Sequence, residues 1–163
     1  MSNAKRVLIV SDTHRRNDNY FKVLEKEAPL DLIIHFGDVE GSEYALTTAA
    51  SCPVEMVAGN NDVFSDLPME KELRIGRYKV WVTHGHHYYI SMGYDIICQE
   101  AASRGVDIVM VGHTHRPVIE TAYGVTLINP GSLSYPRQEG KKPSYVLMEI
   151  NEKGEADFTL KYL

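Results

Sequence analysis

The 163-residue chain predicts an α/β sandwich built on a largely parallel sheet. Short β-branched or aliphatic runs recur along it, and stretches of helical character lie between several of them. Each run also ends abruptly in a polar cluster. The phrase repeats as VLIVSDTH (7–14), DLIIHFGD (31–38), VEMVAGNND (54–62), YKVWVTHGHH (78–87), DIVMVGHTH (107–115) and TLINPGS (126–132). Continuous apolar runs of this length suit strands buried on both faces.

Taken in order, the first strand run is followed by NDNYFKVLEKEA (17–28), a helix with Tyr20, Phe21, Val23 and Leu24 on its apolar side. The second run leads to SEYALTTAAS (42–51), a helix for which Ser42 is a good N-cap. After the third run, ELRI, Gly76-Arg77 and YKVWV read as a hairpin. YDIICQEAASRG (94–105) is a helix stopped by glycine, and two further strand runs follow it. The tail, PSYVLMEI, NEKG and ADFTLKYL, forms a second hairpin, so antiparallel additions flank the parallel core. Without a repeat, low-complexity segment or linker, residues 1–163 read as a single domain.

With 17 basic and 22 acidic residues, the net charge of −5 gives no general pull toward nucleic acid or an anionic membrane. Cys52 and Cys98 sit in apolar or helical surroundings without metal-like spacing, and are expected to be buried thiols of a reducing cytoplasm. Behind Lys5 and Arg6, VLIV is too short for a signal peptide, and no later run is long enough to span a bilayer. The opening MSNA is assigned no function.

In an open α/β sheet, ligands bind beyond the carboxyl ends of the strands. Wherever these strands are parallel, Asp12, His14, Asp38, Asn60, His84, His113 and His115 converge at one edge. Taken alone, each cluster is an ordinary turn or helix start. As a set, these oxygen and nitrogen donors, without a cysteine, are unlike a structural zinc site and suit two divalent ions sharing a carboxylate. Such donors are compatible with manganese, iron, zinc, nickel or cobalt. In an extended segment Asp12 and His14 point to the same side, while a turn lets His113 and His115 diverge to two ions.

The order SDTH, FGDV, AGNND, THGHH, GHTH and NPGS resembles the calcineurin-like metallophosphoesterases, in particular their small single-domain bacterial and archaeal phosphodiesterase branch. The likeness runs from about Val7 to Arg137. It implies a four-layer α/β/β/α sandwich with mixed sheets and a dimetal centre, manganese being the first expectation. Carried over, Asp12, His14 and His115 hold one ion, Asn60, His84 and His113 the other, and Asp38 bridges them. It further implies attack on a small phosphodiester by a metal-bridging hydroxide, with no protein nucleophile. The absence of a G-x-S-x-G elbow or a P-loop agrees.

Asn61 stands where many larger relatives have histidine, and an amide has no proton to give a leaving group at neutral pH. This favours phosphodiesters with good leaving groups over monoesters. His86 rivals His84 as the ligand after the fourth run, and His35 reads as a packed histidine that orients a neighbour. Arg15, Asn61 and Arg137 are candidate substrate contacts; Arg16 and Arg116 also flank the clusters. Tyr88, Tyr89 and Tyr94 offer stacking surfaces, with core or interface packing the plainer reading. The alternatives are a non-catalytic metal-binding scaffold of the same fold and a phosphomonoesterase or nucleotidase. Two antiparallel edges and exposed tyrosines are compatible with a homodimer or higher homo-oligomer.

Overall fold

A computed structural model describes residues 6–163; the MSNAK segment, with its Lys5, lies outside the described residues. Two mixed five-stranded sheets replace the single largely parallel sheet read from the strand pattern alone. In the first, β1 (Arg6–Val10), β2 (Leu32–His35) and β3 (Val54–Met56) run parallel, and β9 (Ser144–Ile150) and β10 (Ala156–Tyr162) add antiparallel on the far side of β1. In the second, β5 (Tyr78–Thr83), β6 (Ile108–Met110) and β8 (Val125–Pro130) are parallel, flanked antiparallel by β4 (Glu70–Ile75) and β7 (Pro117–Ala122). Both expected hairpins are therefore present, as β4–β5 and β9–β10. β7 was not expected: it opens on proline and carries Glu120 and Thr121 at a sheet edge, so it lacks an apolar run.

Alternation along each strand explains why the parallel runs are apolar throughout. Val7 and Ile9 face the other sheet, where they meet Val80, Val82, Ile108, Met110 and Ile128 in the inter-sheet core. Leu8 and Val10 face outward onto Tyr20 and Val23 of α1 (Asp18–Glu27) and Leu46 of α2 (Glu43–Ala49). Trp81, Val109 and Leu127 face outward from the second sheet onto Ile97, Cys98 and Ala101 of α3 (Asp95–Ser103). The layers are thus α/β/β/α.

Three local readings are corrected. Ser42 precedes α2 but its side chain makes no capping bond. Phe21 is 41% exposed, because α1 turns Tyr20 and Val23 to the sheet instead. Cys98 is buried as expected, whereas Cys52 is only half-buried at the end of the α2 connection. Among the described residues no helix is long and apolar enough to cross a membrane.

The register brings the strand ends level in both sheets. Val10 pairs with His35 and His35 with Met56, so β1, β2 and β3 end nearly flush. Val82 pairs with Met110 and Met110 with Ile128, which aligns the second sheet in the same way.

Candidate metal centre

Beyond these aligned ends the loops interlock. Asp12 N donates to Gly37 O at 3.1 Å and His14 N to Asp38 O at 2.8 Å, joining the loops after β1 and β2. Gly112 N donates to His84 O at 3.1 Å, joining those after β5 and β6. Between the sheets, His113 N donates to Asp12 Oδ2 at 3.0 Å. Two glycines permit this closeness. A Cβ on Gly59 would lie 2.1 Å from Asp38 Oδ1, and one on Gly112 would lie 2.2 Å from Ser11 Oγ.

The structure brings the sequence-predicted donors together, with Asp12, His14, Asp38 and Asn60 following strands of the first sheet and His84, His113 and His115 strands of the second. One ligand atom from each of Asp12, His14, Asp38 and His115 lies within 4.8 Å of the others. His14 Nε2 stands 3.7 Å from Asp12 Oδ1 and 3.6 Å from Asp38 Oδ2. His115 Nε2 is 3.4 Å from Asp12 Oδ1. On the other side of Asp38, His84 Nε2 is 3.3 Å from Oδ2, and His113 Nδ1 is 3.1 Å from Asn60 Oδ1. His84, not His86, meets the carboxylates: His86 begins a short 3-10 turn, 5.5 Å from His84 ring to ring.

Three imidazoles are held in one orientation. Nδ1–H of His84 donates to Phe36 O at 2.7 Å and that of His115 to Tyr135 O at 2.7 Å, while Nδ1 of His14 meets the Glu40 carboxylate at 2.8 Å. Each therefore turns Nε2 inward, the arrangement by which proteins fix a metal-binding tautomer. His113 does the reverse and presents Nδ1. His35, as expected, is packed: its Nδ1 accepts from Gly37 N at 3.1 Å, so its Nε2–H donates to Thr13 Oγ1 at 3.0 Å.

A metal fits this set on two observations. Asp12 Oδ1 and His84 Nε2 are buried and lack hydrogen-bond partners, although buried polar atoms are normally satisfied. The backbone is also held left-handed at Asp12, Asp38, His14, His113 and His115, with φ between 48° and 70°. Each such non-glycine residue costs about 1–3 kcal/mol, and such residues gather at functional sites.

The electrostatics agree. Burial would raise Asp12, but the charge on His84 and the nearby imidazoles of His115 and His14, 3.4 and 3.7 Å away, hold it well below the usual carboxylate range. Burial would lower His84, yet Asp12 and Asp38 push it up to about 9. His113 is lowered by burial and by its neighbour His84. A cation binding here must therefore displace the His84 proton. Metal affinity should rise with pH, by up to about tenfold per unit for each imidazole proton displaced, and level off as pH passes about 9, where His84 loses its proton. Calorimetric titration in buffers of different ionisation enthalpy measures the proton count; a flat affinity across this window contradicts the assignment.

Residues outside the expected donor set carry much of this geometry. The Asp62 carboxylate, at the end of the GNND turn, accepts from Asp38 N at 2.7 Å, Glu40 N at 2.7 Å and Gly59 N at 2.8 Å. Asn61 donates to Asp38 through its backbone N at 2.9 Å and through Nδ2 at 3.1 Å. In the NPGS segment, Asn129 Nδ2 donates to Gly112 O and Thr114 Oγ1, both at 2.9 Å, and Ser132 Oγ donates to Asp12 O at 2.7 Å. The candidate substrate arginines are exposed: Arg15 and Arg137 share a cleft of about 610 Å³ with His14 and His115, and Arg15 lies 3.8 Å from Glu40. Tyr88 packs edge-on against Trp81 with ring centres 5.2 Å apart, so it is no free stacking surface; Tyr89 is 65% exposed.

Two sheets packed face to face, with carboxylate, amide and imidazole donors from both at one edge, define the class: an α/β/β/α protein with a candidate metal centre. The calcineurin-like phosphoesterase superfamily domain matches residues 6–153, and the chain belongs to that superfamily. It is 32% identical over 160 residues to a "probable metallophosphoesterase" of Mycoplasma pneumoniae, covering 96% of this chain and 97% of that one. With a phosphodiesterase of Methanocaldococcus jannaschii it shares 30% over 142 residues, 76% of this chain and 81% of the other. Among solved structures, a conserved Streptococcus pneumoniae protein described as a predicted phosphoesterase superposes with TM-score 0.79 at 22% identity, covering 99% and 100% of the two chains. Vps29 of Entamoeba histolytica does so with TM-score 0.76 at 23% identity, over 97% and 99%. At such identities these two show the shared fold.

Proposed function

We propose that the protein is a dimetal phosphodiesterase, and the observation that carries this reading is the set of oriented imidazoles aimed at two buried carboxylates. Asp12, His14 and His115 would hold one divalent ion, Asn60, His84 and His113 a second, with Asp38 shared. Two such ions acidify water, neutralise phosphate oxygens and align the ester for in-line attack. The protein's part is positional. Glu40, Phe36 and Tyr135 fix the imidazoles, Asn61 and Asp62 fix Asp38, and Arg15 and Arg137 in the shared cleft are placed to hold phosphate oxygens. Asn60 as a neutral donor limits the negative charge facing an anionic substrate.

The test is a metal-by-substrate screen comparing diesters, monoesters and cyclic nucleotides, manganese first among the metals. Hydrolysis of diesters is expected. Metal binding without hydrolysis of any ester would instead support a non-catalytic scaffold of the same fold.

Asn61 makes a second expectation specific. Its amide protonates no leaving group, so a phosphodiester with an aryl leaving group should turn over faster than one with an alkyl leaving group, and Asn61→His should narrow the gap by about tenfold or more, within the range for a positioned acid. Equal rates on both esters in the parent would falsify this.

A further inference from the structure

Beside the centre lies a cleft of about 660 Å³, walled by Ile90, Met92, Tyr94 and Val118 and charged by Arg116 and Arg137. Its size is that of a small-molecule site. Arg6, Arg15 and Arg104 each pair with a carboxylate. The side chains of Arg116 and Arg137, both exposed, have no carboxylate partner among the described residues. In a chain of net charge −5, that leaves a local positive patch against an apolar wall on which Met92 is 90% exposed.

The patch is built onto the ligand loop. Thr114 Oγ1 accepts from Asn129 Nδ2 at 2.9 Å and from Arg116 N at 3.2 Å, and Arg137 N donates to His115 O at 3.0 Å. Thr114 lines the cleft and separates His113 from His115, so the cleft starts one residue along the backbone, about 3.8 Å between α-carbons, from both of these donors.

We propose that this cleft binds the non-leaving arm of a nucleotide-derived phosphodiester and that Arg116 binds a second phosphate on that arm, with Arg137 lining both this cleft and the one beside His14 and His115. The proposal rests on the phosphodiesterase reading and adds a substrate class to it. Guanidinium groups bind phosphate through paired donors, and the apolar wall suits the face of a base or sugar.

Thymidine 5′-(4-nitrophenyl phosphate) and its 3′-phosphorylated counterpart share a scissile ester and leaving group and differ only in the second phosphate. kcat/KM for the 3′-phosphorylated ester is expected to be about tenfold higher or more, mostly through KM, and the advantage should shrink with salt. In Arg116→Ala the ratio should fall to about one. A binding readout runs beside it: thymidine 3′,5′-bisphosphate should bind the protein about tenfold more tightly than thymidine 5′-monophosphate, a difference lost in Arg116→Ala. No preference in the parent, or a preference that survives Arg116→Ala, overturns the proposal. Hydrolysis without preference removes the cleft's role and leaves the phosphodiesterase reading standing. A binding preference with neither ester hydrolysed keeps the cleft's phosphate site and removes the hydrolase reading.

Discussion

Asp38→Ala is expected to reduce diester hydrolysis by about 10³-fold or more, at least the scale of removing one preorganised electrostatic group. Asp38 stands between the two donor sets, 3.6 Å from His14 Nε2 and 3.3 Å from His84 Nε2, nearer to both than Asp12 Oδ1, which is 3.7 Å from each. Its loss should also reduce the number of ions bound per chain. Stability should also fall, though by less than turnover. Burial opposes ionisation of Asp38, but His84 and the Asn61 backbone N–H hold its carboxyl below the usual range, so truncation removes an interaction that favours the fold along with the Asn61 hydrogen bonds. Steady-state rates, elemental analysis and thermal melts separate the effects. Parent-like metal content together with parent-like turnover would remove Asp38 from the site.

Asp62→Ala should show the opposite balance, a large structural loss from a residue that touches no reacting atom. Its carboxylate satisfies the backbone N–H groups of Asp38, Glu40 and Gly59, and Asp62 itself is 7% exposed. Each buried donor left unpaired costs about 1–3 kcal/mol, so a loss of about 3 kcal/mol or more is expected. For a chain of this size that lowers Tm by about 6–12 °C. Because the same bonds set Asp38 and the Glu40 backbone, metal affinity should fall by about 10–100-fold. A melting temperature and a metal titration matching the parent would show that the two loops hold their shape without it.

The candidate donors were legible because each follows an apolar run, and parallel strands send such residues to one edge. Both hairpins were legible from Gly76-Arg77 and the Asn151–Gly154 turn between alternating runs. The division into two sheets was not visible in the runs themselves, since strand neighbours are chosen by long-range packing; only the family resemblance pointed to it. The supports of the imidazoles were hidden for a different reason. Phe36 and Tyr135 act through carbonyl oxygens, which every residue possesses and no letter marks. Asp62 looked like a turn residue because GNND suits a turn, and it does occupy one, with Asp62 N donating to Gly59 O at 3.1 Å. Its side chain then reaches across to the loop after β2, a contact 24 residues away in sequence.

The donors of the centre come from both sheets, which would give bound ions a mechanical part. A cation held by Asp12 and Asp38 from one leaf and by His115 from the other would be a clasp across the seam of the sandwich. Sliding one leaf along the other would pull the two halves of the grip apart. The occupant of the clasp therefore gauges the alignment of the whole inter-sheet core. Met148, paired with Val7 at the opposite end of β1, packs in that same inter-sheet core, so Met148→Ala is expected to weaken metal binding in a titration although the residue lies outside the donor set.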